Sequence, residues 1–292
     1  MRTIVMPSRH PVSDSFSIAG YRDIDAAQDQ ASYFAFLDSF ADTFREMTEA
    51  SVDLLRLRPG HAVLDVGCGH GVCVPLLAQR VGASGRIVGL DASHAMVAEA
   101  QRRFDHSGLP VAFRHGSALA LPFDDQSFDA ARADRVLLFV DDARTALAEL
   151  VRVTKHGGRI AVTEGDLGLQ AVDSPDAKTT ATVLAALGNR SPNGWIGRRL
   201  RALFVAAGLQ DVEVQLVPIL STSYAEWNLR FGIEALVSAL VAQQTIARDV
   251  AQAWLDELRT RDAQSRFTAI GLLSVVAGTR SVATAAAVAP GS

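Results

Sequence analysis

The amino-acid sequence predicts an α/β chain: a doubly wound, mostly parallel, seven-stranded sheet with a helical segment ahead of it and a helical insertion late in it. Short strand-like runs at 61–66, 86–90, 111–115, 128–133 and 158–163 carry that prediction, because segments of helical periodicity alternate with them. The first run, Ala62-Val63-Leu64-Asp65-Val66, passes directly into glycines at 67, 69 and 71, so a buried strand ends in a loop whose backbone something must approach closely.

Ahead of that strand, residues 1–20 hold no continuous apolar stretch, since Pro7, Arg9, His10 and Pro11 interrupt it, and no segment is long enough to span a bilayer uninterrupted. Residues 21–55 place Tyr33, Phe34, Phe36, Leu37, Phe40, Phe44 and Met47 at three- and four-residue steps, the pattern of amphipathic helices. After the second strand, which ends in Asp91, come strands at 111–115 and 128–133. A helix over Ala143 to Val153 and a glycine turn at Gly157-Gly158 lead into the fifth strand. The pattern loosens from Gly165 to Pro192. It resumes with a helix from Trp195 to Ala207, for which Asn193 is an N-cap signal and Gly208 a stop, and a strand at 211–217. Between that strand and the last one, 267–277, residues 222–262 carry Phe231, Leu236, Leu240, Ile246, Val250, Trp254 and Leu258 at helical spacing. The chain therefore divides into a helical segment or lid (1–56), a core (57–221), a helical insertion (222–262), the last core strand (263–280) and a small-residue tail (281–292) that lacks the bulky groups needed for ordering. The insertion serves equally well as a substrate cap or as an interface, and a homodimer is left open.

The formal net charge of −4 gives no global positive field to hold a polyanion, which excludes nucleic acid as the expected partner. Arg198, Arg199 and Arg201 suit one solvated helix face. Cys68 and Cys73 are the only cysteines, as expected of a reduced, cytoplasmic protein without a disulfide framework. With His70 between them they are too few for tetrahedral zinc, so no metal is expected.

The glycine loop and Asp91, about 20 residues beyond its last glycine, have the spacing at which a βαβ unit sets an acid on ribose hydroxyls. A dinucleotide loop needs Gly or Ala where this chain has Val72, which argues against a nucleotide-dependent oxidoreductase. A P-loop needs a Lys-Ser or Lys-Thr pair that is missing. Asp65-Val66-Gly67-Cys68-Gly69-His70-Gly71 followed by Gly89-Leu90-Asp91-Ala92-Ser93 resembles the first two motifs of the class I S-adenosylmethionine-dependent methyltransferases. The likeness continues through His115-Gly116-Ser117-Ala118, Leu121-Pro122-Phe123-Asp124-Asp125 and Ser127-Phe128-Asp129-Ala130-Ala131, close from Leu57 to Glu164 and looser beyond. It is similar to the small-molecule branch that includes ubiquinone and menaquinone biosynthesis methyltransferases.

The resemblance implies a Rossmann-like methyltransferase that takes S-adenosylmethionine, releases S-adenosylhomocysteine, and methylates a small, apolar or aromatic metabolite by in-line displacement. It implies that Gly67 and Gly69 admit the methionine portion, that Asp65 orients its ammonium group, and that Asp91 takes the ribose. Ala92, Ser93, Met96, Ser117, Ala118 and Ala133 would complete the cofactor site. Ser117 stands where relatives often carry Asp, so the adenine contact is the weaker one. Leu138-Phe139 stands where many relatives place histidines, which removes a histidine base from that loop. Asp134, Glu164 and Asp166 then remain as catalytic candidates, although acids at strand ends also serve as caps and loop acceptors. Tyr21, Tyr33, Arg135, Trp195, Arg198 and Trp227 are the substrate-side candidates, and packing is the plainer account of the aromatic ones. A fold-sharing cyclase, or a protein that binds the cofactor without methylating, is the alternative left by the missing loop histidines.

Overall fold

In the computed structural model, residues 4–5, 24–26, 29–41 and 44–281 are described. The seven strands read from the sequence are all present in one sheet, and a two-residue edge strand, β1 (Ile4–Val5), adds an eighth. The order is β1-β7-β8-β6-β5-β2-β3-β4, with β2 (Ala62–Val66), β3 (Arg86–Asp91), β4 (Val111–His115), β5 (Phe128–Asp134) and β6 (Thr154–Val172) parallel. Only β8 (Ala269–Thr279) is reversed, running antiparallel to both β6 and β7 (Gln210–Ser221). β2 is paired on both edges and covered on both faces, so it is an unbroken apolar run apart from Asp65.

The helices α3 (Val74–Val81), α4 (His94–Phe104) and α5 (Ala143–Val153) return the chain between parallel strands. Ser93 caps α4 by accepting the Met96 amide at 3.1 Å, and Asp142 caps α5 through the amides of Arg144 and Thr145. Leu64 and Leu147 are wholly or almost wholly buried on one face of the sheet, and Leu77 and Ile87 on the other. Truncating such a leucine costs about 2–5 kcal/mol. Among the described residues two helices lie between β1 and β2, α1 (Gln30–Ala41) and α2 (Arg45–Leu54). Three occupy the late insertion, α8 (Tyr224–Phe231), α9 (Ile233–Ala242) and α10 (Arg248–Ala263).

Two stretches differ from the sequence reading. The fifth strand does not stop at Thr163, its last pair with β5, but runs to Val172, because β8 keeps pairing with it, from Gln170–Gly271 to Val172–Ala269, after an irregularity at Gly165. The segment that reads as loose then forms α6 (Ala177–Gly188), capped by Asp176 on the Thr179 amide at 2.9 Å. The helix expected from Trp195 begins only at α7 (Leu200–Ala206), after a short 3₁₀ turn at Gly197–Arg199. Asn193 is no N-cap: its Nδ2 donates to the carbonyls of Leu137 and Val140 at 3.0 and 2.7 Å, fastening the loop that follows β5. Trp195 fills the space that Gly168 and Gly188 leave; a Cβ on Gly168 would come within 2.0 Å of its ring.

Candidate active site

A cavity of about 540 Å³ opens at the carboxyl ends of β2, β3 and β5, where open α/β sheets place ligands. At one end its wall is the glycine loop. The Gly67 and Cys68 amides both turn back to Leu90 O, at 2.7 and 3.1 Å, and the Gly69 amide donates to Asp91 Oδ2 at 2.8 Å. Asp91 Oδ1 accepts the Ser93 amide at 2.9 Å, so the carboxylate is fixed from both sides while still lining the cavity. Burial raises its pKa and these amides oppose that rise. Gly67 sits at φ 67°, and a Cβ there would meet Val136 Cγ2 at 2.2 Å. The glycine therefore serves both the turn and a close approach of the loop after β5. Ala92, Ser93, Met96, Ser117 and Ala118 line this end as the sequence suggests. The Ser117 hydroxyl accepts the Leu119 amide at 3.1 Å, and Ser93 Oγ also donates to Asp25 at 2.6 Å. Ala133 does not line the cavity; it is 1% exposed and packed into the core beneath.

Beside the loop lies a buried row of charges. Asp65 in β2 and Arg132 in β5 are registered across the two strands, and Arg132 Nη1 donates to Asp65 Oδ1 at 2.9 Å. Arg132 Nη2 reaches Ser51 Oγ at 3.2 Å and Asp134 Oδ2 at 3.1 Å, and Arg135 Nε donates to Asp134 Oδ1 at 2.9 Å. Burial pushes the Asp65 pKa up against the pull of Arg132. For Asp134 burial is outweighed by Arg135 and Arg132, and the pKa is lowered. Asp65 Oδ2 is buried without a hydrogen-bond partner although Asp65 lines the cavity. A buried carboxylate oxygen in that position calls for a donor from a ligand, and an ammonium group fits it. The sequence places Arg132 at the carboxyl end of a central strand but assigns it no role in the site. An arginine in a central strand opposite an acid in its neighbour was the signal available.

None of the three acids singled out as bases presents a carboxylate suited to that task. Asp134 is held by two guanidinium groups and has a depressed pKa, which makes it a poor proton acceptor. Asp166 lines the cavity but is gripped by Arg198 through Nε at 2.5 Å, Nη2 at 2.9 Å and the backbone amide at 3.1 Å. Glu164 is fully buried and lies off the cavity. Its Oε1 accepts the amides of Val136 and Leu137 at 2.9 and 2.5 Å, and burial raises its pKa to about 8. Glu164 thus shapes the loop after β5 from below.

The substrate-side candidates separate in the same way. Arg135 and Trp227 line the far end of the cavity, where Trp227 Nε1 donates to Gln170 Oε1 at 2.9 Å. Trp195 does not, since its Nε1 is committed to Asn189 at 2.8 Å and Arg198 covers its ring with Cζ at 4.6 Å from the centroid. Arg198 itself acts on Asp166 rather than on the cavity. Tyr33 is buried with Ile24 and Met96 behind the cavity wall, and Tyr21 lies outside the described residues.

Two contacts that the sequence did not reveal tie the N-terminal segment to the glycine-loop end. Asp25, in a 3₁₀ turn at Ile24–Ala26, accepts the amides of His94 and Ala95 at 3.0 and 2.9 Å as well as the Ser93 hydroxyl. Asp38 of α1 pairs with His70 Nε2 at 2.8 Å and with Arg103 Nη1 and Nη2 at 2.9 and 2.8 Å, and burial lowers the His70 pKa. Among the described residues no group of His, Cys, Asp and Glu has the arrangement of a metal site, and no helix is long and apolar enough to cross a membrane.

Residues 63–158 match a family model described as a methyltransferase domain. Over 256 residues the chain is 35% identical to an uncharacterized 37.1 kDa protein in transposon TN4556 of Streptomyces fradiae, covering 86% of this chain and 72% of that protein. It is 41% identical over 114 residues to a 2-phytyl-1,4-naphtoquinone methyltransferase of Thermosynechococcus vestitus, a match spanning 39% of this chain and 50% of the relative's length. Among solved structures, the YcgJ protein of Bacillus subtilis superposes with a TM-score of 0.56 at 22% identity, over 82% of this chain and 99% of that one, a likeness of fold.

Proposed function

Because the chain belongs to the class I S-adenosylmethionine-dependent methyltransferases, in their small-molecule branch, we propose that it binds S-adenosylmethionine at the glycine-loop end of the cavity and methylates a planar, largely apolar metabolite at the other. The observation that carries this reading is the pairing of the partnerless Asp65 Oδ2 with the fixed Asp91 carboxylate, one on each side of a loop that presents backbone rather than side chains. A dinucleotide would ask for a small residue at Val72; an amino-acid-bearing nucleoside without phosphates asks for an acid at each end.

The bound cofactor supplies a methyl group already activated on a sulfonium. The protein's share is alignment and exclusion of water. Asp65 would hold the ammonium group, Asp91 the ribose hydroxyls, and Met96, Ser117 and Ala118 the adenine. Glu164 and Asn193 keep the loop after β5 in place against Gly67, so that Val136 and Leu138 wall off the space where the two substrates meet. With Asp134 and Asp166 tied to arginines, the reading favours acceptors that need no strong base from these residues. A cytoplasmic location and a role in specialised metabolism accompany this reading, and the two free, buried cysteines suit a reducing compartment. Incubation with methyl-labelled S-adenosylmethionine and a panel of phenolic, naphthoic and hydroquinone acceptors tests it. Label transferred to at least one acceptor is expected. Tight binding of NADH in place of S-adenosylhomocysteine would replace it with an oxidoreductase reading.

A further inference from the structure

Past Gly165 the sheet continues as a narrower arm of β6, β8 and β7, and one face of that arm is the floor of the far end of the cavity. Gln170, Gly271 and Ile219 stand opposite one another across the three strands, and Ala269 and Ser221 form the next pair. All five line the cavity, while Leu220 and Ile270 between them do not, as the alternation of the pleat requires. The middle of this floor carries no bulk, since Gly271 has no side chain and Ala269 a single methyl group. Neither packing nor backbone reserves position 271 for glycine. A Cβ there would meet only Gln170 Cγ, at 3.7 Å, which is ordinary contact, and Gly271 does not hold a positive φ. The missing side chain leaves open space above the strand, and a glycine inside a strand marks the close approach of another group.

Ser221 supplies a second, independent observation. It is 5% exposed, it lines the cavity, and among the described residues its hydroxyl has no hydrogen-bond partner. The other polar side chain of the floor is committed: Gln170 Oε1 accepts Trp227 Nε1 at 2.9 Å, and Gln170 Nε2 donates to Leu167 O at 3.3 Å. A buried hydroxyl left unpaired is costly, so one that opens on a cavity calls for a partner from what enters it. None of the five floor residues is charged, and the group that suits them is neutral. In the sheet order β8, β6 and β5 stand between β7 and β2, so this hydroxyl lies across the cavity from the glycine loop.

Resting on the reading of the cavity as a methyltransferase site, we propose that the acceptor lies flat over Gly271 and hydrogen-bonds Ser221 through a neutral oxygen at the end that points away from the glycine loop. A serine hydroxyl both donates and accepts, so a hydroxyl, ether or ketone oxygen shares the required chemistry. Gly271 sets the room that the ring system has above the strand. Ser221 sets which end of it is turned toward the cofactor. Both act on the choice and orientation of the acceptor, away from the reacting atoms.

Equilibrium binding to the full chain saturated with S-adenosylhomocysteine, followed by naphthalene fluorescence, tests both residues. The probes are naphthol, whose oxygen donates and accepts, methoxynaphthalene, whose oxygen only accepts, and ethylnaphthalene, which has none. Ser221→Ala is expected to weaken at least one oxygen-bearing probe by about five- to tenfold and to leave ethylnaphthalene unchanged. A loss confined to naphthol shows Ser221 accepting, and a loss for methoxynaphthalene shows it donating. Gly271→Val is expected to weaken all three probes by about tenfold or more. Unchanged S-adenosylhomocysteine affinity, by calorimetry, reports that a variant is folded. Should Gly271→Val lose that affinity, Gly271→Ala decides in its place, with a smaller loss for the same probes. Equal effects of Ser221→Ala on all three probes, no effect on any, full-strength binding to the position 271 variant, or a wild type that takes up none of the probes overturns the inference. Failure of S-adenosylhomocysteine to bind the wild type overturns the methyltransferase reading on which it rests.

Discussion

At the glycine-loop end, the cavity wall is largely two short runs of chain, within Asp65 to Cys73 and Leu90 to Met96, plus the turn at Ser117, and its contacts to a ligand would come largely from backbone and two short acids. At the far end the wall is assembled from Phe44, Arg135, Gln170, Trp227, Arg230 and Leu272, which sit on two turns, two strands and a helix scattered over most of the chain. The first end is specified by left-handed φ angles that favour glycine and by amides that fix a carboxylate. The second is specified by which side chains happen to converge. A backbone-built site tolerates almost no substitution and serves one ligand; a side-chain-built site can change its ligand one residue at a time.

The sharpest way to break that contrast is Gly67→Ala. It adds a methyl group that meets Val136 at 2.2 Å in a backbone conformation costing about 1–3 kcal/mol for a non-glycine residue. S-adenosylhomocysteine affinity, measured by calorimetry, is expected to fall by about a hundredfold. Gly69→Ala makes the comparison finer: its Cβ would find only Met96 Sδ, at 3.9 Å, so φ alone is at stake and the loss is expected to be smaller. Equal effects of the two variants would show that the close approach of Val136 is irrelevant.

Glu164 joins the two ends, since it holds the loop that bears both Val136 and Arg135. Its folded pKa of about 8 lies above the ordinary 4.5, so between those pH values the folded chain keeps a proton that the unfolded chain has released. Its contribution therefore lowers stability as pH rises through that window, at roughly 1.4 kcal/mol per pH unit, and levels off above it. Glu164→Gln mimics the protonated form. Relative to this variant, the wild type is expected to lose stability in denaturant melts from pH 5 to about 8, and parallel curves would contradict the buried neutral acid. The smallest effect is expected at the N-terminal latch. Asp38→Asn weakens contacts to His70 and Arg103 on a partly exposed helix, worth up to about 1 kcal/mol, and should cost S-adenosylhomocysteine a few-fold in affinity without altering acceptor preference.

The same contrast explains what the sequence disclosed. Strand runs, the glycine loop and Asp91 were legible because each is a local pattern whose spacing has one structural meaning. Ser93, Met96 and Ser117 followed, being next to those patterns. Asp134, Glu164 and Asp166 were recognisable as acids at strand ends, but their partners were not: Arg198 reaches Asp166 from 32 residues away, and the amides held by Glu164 lie 27 and 28 residues before it. The extension of β6 to Val172 depends on β8, about a hundred residues later, and the Arg135–Phe44–Arg230 cluster depends on residues from three distant parts of the chain. Trp195 and Arg198 looked like pocket residues because aromatic and basic side chains are common there, and only packing against Gly168 and Asp166 reveals that they brace the wall from outside.

The claim that matters most is that the glycine-loop end receives a phosphate-free adenosyl cofactor through the Asp91 carboxylate. Titration of S-adenosylhomocysteine into wild type and Asp91→Ala by calorimetry tests it directly. The account predicts micromolar binding to the wild type and a loss beyond detection in the variant; binding of equal strength in both would contradict it.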